Sequence, residues 1–248
     1  MNMRCTIALL VLLTPFSANA DALTDLRASL AQLAATTPVH GAFEVTSTNK
    51  NSDEDQPSQG KASVEFEIGD AGLRILYPKP TLIQANQEAR AEAADPERQT
   101  PARAGMGRVH AMELAELLDG AATLTTELLT AQLIDAKPTM YRGKPARLVT
   151  LKLSPKLSKG ASKHVKKVDG TLSVWLGDDA VPIAAEQNFS VKASFMLMSF
   201  TTEQKKTWTY VRAGDRLVAT ASEETQKSDG MGQHNLSHVV QVVRVATE

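Results

Sequence analysis

From Pro138 onward one pattern repeats: apolar and polar residues alternate, and clusters of turn-forming residues break the alternation at short intervals. A period of two sends successive side chains to opposite faces, so each run buries one face of a strand and wets the other. Residues 147–153 form one such run. Val168, Leu172, Val174 and Leu176 share a face of the next, and Gly177-Asp178-Asp179 turns it back. Val181, Ile183, Phe189, Val191, Phe195 and Leu197 then line one face of what reads as a single very long strand region. Trp208 and Tyr210 fall in its successor, Ala213-Gly214-Asp215 makes a turn, residues 217–225 return, and residues 236–246 close the series. Short turns between consecutive strands require antiparallel neighbours, that is, a meander.

The N-terminal half mixes periods. Asp21 stands as an N-cap, and Leu23, Leu26, Leu30 and Leu33 recur at spacings of three and four, which predicts an amphipathic helix that fades before Pro38. From Gly41 the period becomes two. Phe43 and Val45 share a strand face, and Ala62, Val64, Phe66 and Ile68 alternate with Lys61, Ser63, Glu65 and Glu67. The polar stretch 49–60 between them reads as a hairpin loop, and Gly69-Asp70-Ala71-Gly72 as a turn into a strand through Leu73, Ile75 and Tyr77. Residues 84–107 almost lack large apolar side chains and carry Pro96 and Pro101, which fits an exposed helix or a mobile flap. Met112, Leu114, Leu117 and Leu118 indicate a short helix ended by Gly120, and 124–134 is open between helix and strand. The expected class is therefore α+β: a curved antiparallel sheet, a half-barrel meander, with helices packed on its concave face.

Arg4, the apolar run from Ile7 to Leu13, Pro15 and Ala18-Asn19-Ala20 have the order of a cleavable export signal. Seven uninterrupted apolar residues fall short of the roughly 20 that span a bilayer. The expected organisation is a signal over 1–20 and a single domain over 21–248, with a polar helical or mobile insertion around 84–120. The expected location is the periplasm, or outside the cell in a host without an outer membrane. Cys5 is the only cysteine and precedes the apolar run, so the remaining chain would have no disulfide, no thiolate metal site and no lipid-anchored N-terminal cysteine. The formal charge is −1, and −2 without Arg4, with acids and bases interspersed. That balance gives no reason to expect nucleic acid as a partner. Lys156, Lys159, Lys163, Lys166 and Lys167 are the one basic concentration and read as a solvated loop.

Tyr141-Arg142-Gly143-Lys144-Pro145-Ala146-Arg147-Leu148, then Leu151-Lys152-Leu153-Ser154-Pro155, then residues 170–182 with Trp175-Leu176-Gly177-Asp178 and Pro182, form a distinctive series of turns and packing positions. Over 141–186 this resembles the envelope-stress sigma-factor regulators of the half-barrel superfamily, which also contains the periplasmic lipoprotein carriers. The resemblance implies a sheet whose apolar concavity, closed by helices, accommodates acyl chains or apolar parts of a partner.

No motif calls for catalysis. A Gly-x-Ser-x-Gly elbow is absent, Gly230-Met231-Gly232 lies between strands, and adjacent pairs such as Glu223-Glu224 face opposite ways on a strand. His234 and His238 would lie about 13 Å apart on one strand face, too far for one metal ion. No enzyme activity, metal or cofactor is expected. The run Phe195-Met196-Leu197-Met198-Ser199-Phe200 is apolar on both faces if it continues one strand. Together with Phe189 it is the candidate ligand-binding surface: Phe189, Phe195, Met196, Leu197, Met198 and Phe200, with methionines adapting to variable shapes. The expected function is that of a soluble periplasmic, non-catalytic binding protein holding a lipid, an acyl chain or an apolar polypeptide segment. Its partner would then be an apolar ligand or a lipoprotein. The alternative is an envelope regulatory or structural module that binds another protein without a small-molecule ligand.

Overall fold

The computed structural model describes residues 18–53, 56–154, 163–195, 198–230 and 232–247. The expected export run at Ile7–Leu13, together with Lys156, Lys159, Met196, Leu197 and Met231, lies outside the described residues. Helix α1 (Ala18–Ala31) is followed by strands β1 (Val39–Asn51), β2 (Ser58–Gly69) and β3 (Gly72–Leu76). Then come α2 (Lys79–Ala94), α3 (Pro101–Met106), α4 (Ala111–Leu118) and α5 (Gly120–Leu128). Strands β4 (Ala131–Tyr141), β5 (Lys144–Leu153), β6 (Val165–Leu176), β7 (Pro182–Phe195), β8 (Met198–Ala213), β9 (Arg216–Gly230) and β10 (Gln233–Thr247) complete the chain. The helix expected to start at Asp21 thus begins earlier, and Asp21 lies inside it. The segment left open at 124–134 divides: α5 ends at Leu128 and β4 begins at Ala131.

All ten strands form one antiparallel sheet in the order β3-β2-β1-β10-β9-β8-β7-β6-β5-β4. It is an open sheet: β3 and β4 are its edges and do not bond to each other. Two meanders, β1–β3 and β4–β10, are fused along the seam where β1 pairs with β10 from Val39↔Thr247 to Asn51↔Asn235. The α+β class read from the alternating patterns is the class observed.

One face, here called inner, carries the core. Phe43 faces Val64 on one neighbour and Val243 on the other, and Leu151 faces Leu172. These side chains join Ala22, Leu26 and Leu30 of α1, Leu114, Leu117 and Leu118 of α4, and Ala121, Leu124 and Leu128 of α5 in one buried cluster. Met112, assigned to the apolar stripe of α4 by spacing, instead faces solvent at 74% exposure. Arg27 donates to the Leu128 carbonyl at 3.1 Å, and Arg147 pairs with Asp25 at 3.0 Å, tying α1 to α5 and β5. The break between α4 and α5 falls at Asp119, whose side chain accepts from the Ala122 amide at 3.0 Å and caps α5.

The polar stretch 84–107 holds two helices, the end of α2 and all of α3, joined by a non-helical link over 95–100. Helix α2 buries no residue, but α3 lies directly on β2. A Cβ on Gly105 would overlap the backbone of Lys61, and one on Gly60 would come within 3.0 Å of the Gly105 nitrogen. Two glycines therefore let helix and strand touch without intervening side chains. Arg103 ties the pair back to α2 through its ion pair with Glu92 and the hydrogen bond its backbone N–H donates to the Glu88 carboxylate at 2.9 Å.

Candidate functional site

The long strand region expected through Leu197 reverses instead. Strand β7 ends at Phe195, β8 begins at Met198, and Phe195 faces Met198 across a two-residue link. The expectation of one continuous strand through residues 195–200 is corrected by that break. In a tight hairpin, residues equally distant from the link share a face. Ala193 accordingly faces Phe200, and Phe189 faces Gln204, all on the inner side. A bare alternation through residues 195–200 hides the turn, because no Gly, Pro, Asn or Asp marks it.

Two of the candidate aromatics are set over glycines on neighbouring strands. A Cβ on Gly170 would meet the Phe189 ring at 2.7 Å, and Phe200 lies over Gly230, its partner in the register. Phe189 is partly buried and packs against the core; Phe200 is 36% exposed. The structure therefore divides these positions between the core margin and the distal end of the β7–β8 hairpin.

Beyond the helices the inner face turns polar. Lys206 sits 5.3 Å from the centre of the Trp208 ring and 3.6 Å from Glu224, which also accepts from Gln204 at 2.7 Å. Buried Gln241 donates to Glu113 of α4 at 3.0 Å. Between this belt and the α4–α5 pair a crevice of about 120 Å³ remains, with Tyr210 at its wall. Burial and the nearby charge of Glu127 push the Tyr210 phenol well above its usual ionisation range.

The outer face holds a groove of about 460 Å³ across β6–β9. Short side chains, Thr171, Asn188, Ser190 and Thr225, line its middle, and Asp169, Glu203, Lys205 and Lys227 flank them. Register places these on one face: Ser190 opposite Asp169 and Glu203, and Lys205 opposite Asn188 and Thr225. At its side Glu186 accepts from Asn188 at 2.9 Å and pairs with Lys205 at 3.0 Å. Partial burial raises the Glu186 pKa, but these two partners outweigh it and the net shift is downward, so this carboxylate is ionised at neutral pH.

His234 and His238 each have a private carboxylate, Asp229 and Glu223 respectively, the latter at 2.9 Å. Among the described residues no three His, Cys, Asp or Glu side chains converge as metal ligands, and no helix is long and apolar enough to cross a membrane.

No protein-family model matches the chain, and no curated protein matches it. Among solved structures it is similar to the crystal structure of MucB in complex with MucA(peri), at 10% identity and a TM-score of 0.17, over 93% of this chain and 99% of that one. A likeness that faint assigns no family and bears on no ligand.

Proposed function

We propose that this protein is a non-catalytic binding module of the cell envelope that recognises another protein through the outer face of its sheet. The observation that carries the reading is the occupancy of the inner face. The apolar half of that face is covered by its own helices, with Leu26, Leu114, Leu118 and Leu128 at 2% exposure or less. The crevice beside α4 and α5 is about 120 Å³ and polar-lined, below the roughly 300–1,000 Å³ of a site that engulfs a drug-sized ligand. A half-barrel that shelters an acyl chain needs that volume free, so lipid carriage would require α1, α4 and α5 to leave. The outer groove needs no such opening. Its alternating Asp169, Lys205, Glu203 and Lys227 suit an extended polypeptide with charges of both signs, which the groove orients as much as it holds.

The test is site-specific photocrosslinking in the producing cell. A photoreactive residue at Thr225, in the groove, should trap one defined protein. The same residue at Thr46, on β1, should not, and reversing Lys205 and Lys227 to Glu should abolish the product. Equal trapping from both positions, or a stoichiometric lipid recovered with the gently purified protein, would sink the reading.

A further inference from the structure

The crevice on the inner face has chemistry that the outer groove does not need. It lies between α4–α5 and the middle of strands β8–β10 and is lined by Glu113, Glu116, Glu127, Lys206, Trp208 and Tyr210, among others. Glu113 is engaged by Gln241. Glu116 and Glu127, by contrast, have no hydrogen bond or ion pair to their carboxylates among the described residues. Three carboxylates thus line the crevice with the one ammonium of Lys206, which itself pairs with Glu224 of the neighbouring strand at 3.6 Å.

That ammonium shows which group the site suits. Lys206 Nζ is held over the face of Trp208 and beside Glu224, an aromatic plane plus an anion, with its side chain only 22% exposed. Aromatic faces and carboxylates attract cations by the same electrostatics, most strongly where water is partly excluded. Tyr210 supplies the second sign. It is 95% buried by its 5% exposure, it lines the crevice, and its hydroxyl has no hydrogen-bond partner among the described residues. A buried hydroxyl left unpaired costs free energy until a donor or acceptor meets it. Among the described side chains the atom in that state is the Ser222 hydroxyl, which is buried and unpaired and is flanked on the same face by Gln241 and Trp208 of the crevice.

We propose that this crevice is a binding site for a primary ammonium group, which Glu116, Glu127 and the Tyr210 oxygen would receive. An ammonium carries three N–H donors, and Glu116, Glu127 and Tyr210 bring acceptors to this one crevice from two helices and a strand. The volume takes the end of one side chain or a short alkyl amine and no more. The proposal does not depend on the outer groove, and the two fail separately: one is read at Thr225, the other at Trp208.

The chain has two tryptophans, and they report independently. Trp208 lines the crevice, whereas Trp175 stacks on Tyr141 at 5.5 Å in a different part of the sheet. In a titration followed by the indole N–H resonances, butylammonium chloride should move Trp208 saturably and leave Trp175 unmoved, while sodium butyrate moves neither. A blocked Gly-Lys-Gly peptide that competes with butylammonium and binds more tightly identifies the source as a polypeptide lysine; a weaker one identifies a free amine. The double variant Glu116→Gln/Glu127→Gln should weaken binding about tenfold. Tyr210→Phe should weaken it less, and Lys206→Met, which removes the resident ammonium, should tighten it. An unmoved Trp208, equal shifts of both indoles, or unchanged affinity in the folded double variant overturns the proposal.

Discussion

Thr37 and Asp215 bind each other reciprocally: the Asp215 carboxylate accepts the Thr37 amide at 2.7 Å, and the Thr37 hydroxyl accepts the Asp215 amide at 3.2 Å. Thr36 donates both its amide and its hydroxyl to the same carboxylate, and Ala35 donates its amide to the Asp215 carbonyl. Arg216 closes the latch from below, donating Nε to the Thr37 carbonyl. The link between α1 and β1 is thereby pinned to the β8–β9 turn. Gly214, at φ +63°, packs so closely against Thr37 that a side chain there would overlap it.

These hydroxyl and amide donors hold the Asp215 carboxyl well below its ordinary value of 3.8. A depressed folded-state value means that the stabilisation is fully present above the unfolded value and is lost as pH falls below it. Wild-type protein should therefore lose stability on acidification below about pH 4, more steeply than Asp215→Asn. The variant should melt at lower temperature at neutral pH, and the two melting curves should converge in acid. Parallel melting temperatures at pH 7 and pH 3 would refute the latch.

Gly105→Ala places a methyl group in the backbone of Lys61. Nothing at that point is a flexible side chain that can step aside, so α3 has to lift from β2. The cost should be about 1–3 kcal/mol, read as a lower urea midpoint. Hydrogen exchange should rise in α3 before the rest of the sheet.

Gly143→Ala tests backbone strain without crowding. Gly143 has φ +79° in the turn after Arg142 (φ +49°), and no atom lies within 4 Å of where its Cβ would stand. Two successive positive φ values are those of the tight hairpin turn that joins antiparallel strands. Its substitution should cost about 1 kcal/mol, with hydrogen exchange changed only around β4–β5.

Leu26→Ala and Leu118→Ala remove side chains that are 0% exposed at the helix–sheet interface. Each should cost about 2–5 kcal/mol, the range for large-to-small changes in a core. Because each leaves a hole under a helix, these variants should bind an apolar dye that the parent does not. An unaltered melting temperature for either would contradict the filled inner face.

The alternating strands, their antiparallel order and the helix face of Leu26 and Leu30 were legible because periodicity records burial directly. The reversal between β7 and β8 was not, since the sequence there carries none of the usual turn residues and its apolar residues continue the strand pattern. The docking of α3 was also hidden. It rests on Gly60 and Gly105, whose absent side chains leave no apolar stripe to read. The crevice escaped for a third reason: its acids come from α4 and α5 and its aromatic residues from β8, so no local run of sequence contains the set.

The β1–β10 seam also governs when this sheet can exist. The three-stranded piece β1–β3 is synthesised early, but its neighbour β10 is the last strand made. Until that strand arrives, β1 offers a naked row of amide and carbonyl groups, and Phe43 lacks Val243 beside it. Such distant pairing is slow, on the scale of milliseconds to seconds. A nascent chain of this topology is thus obliged to spend most of its synthesis unfinished, and a holding chaperone that masks β1 should raise its yield more than one that attends to the β4–β9 meander.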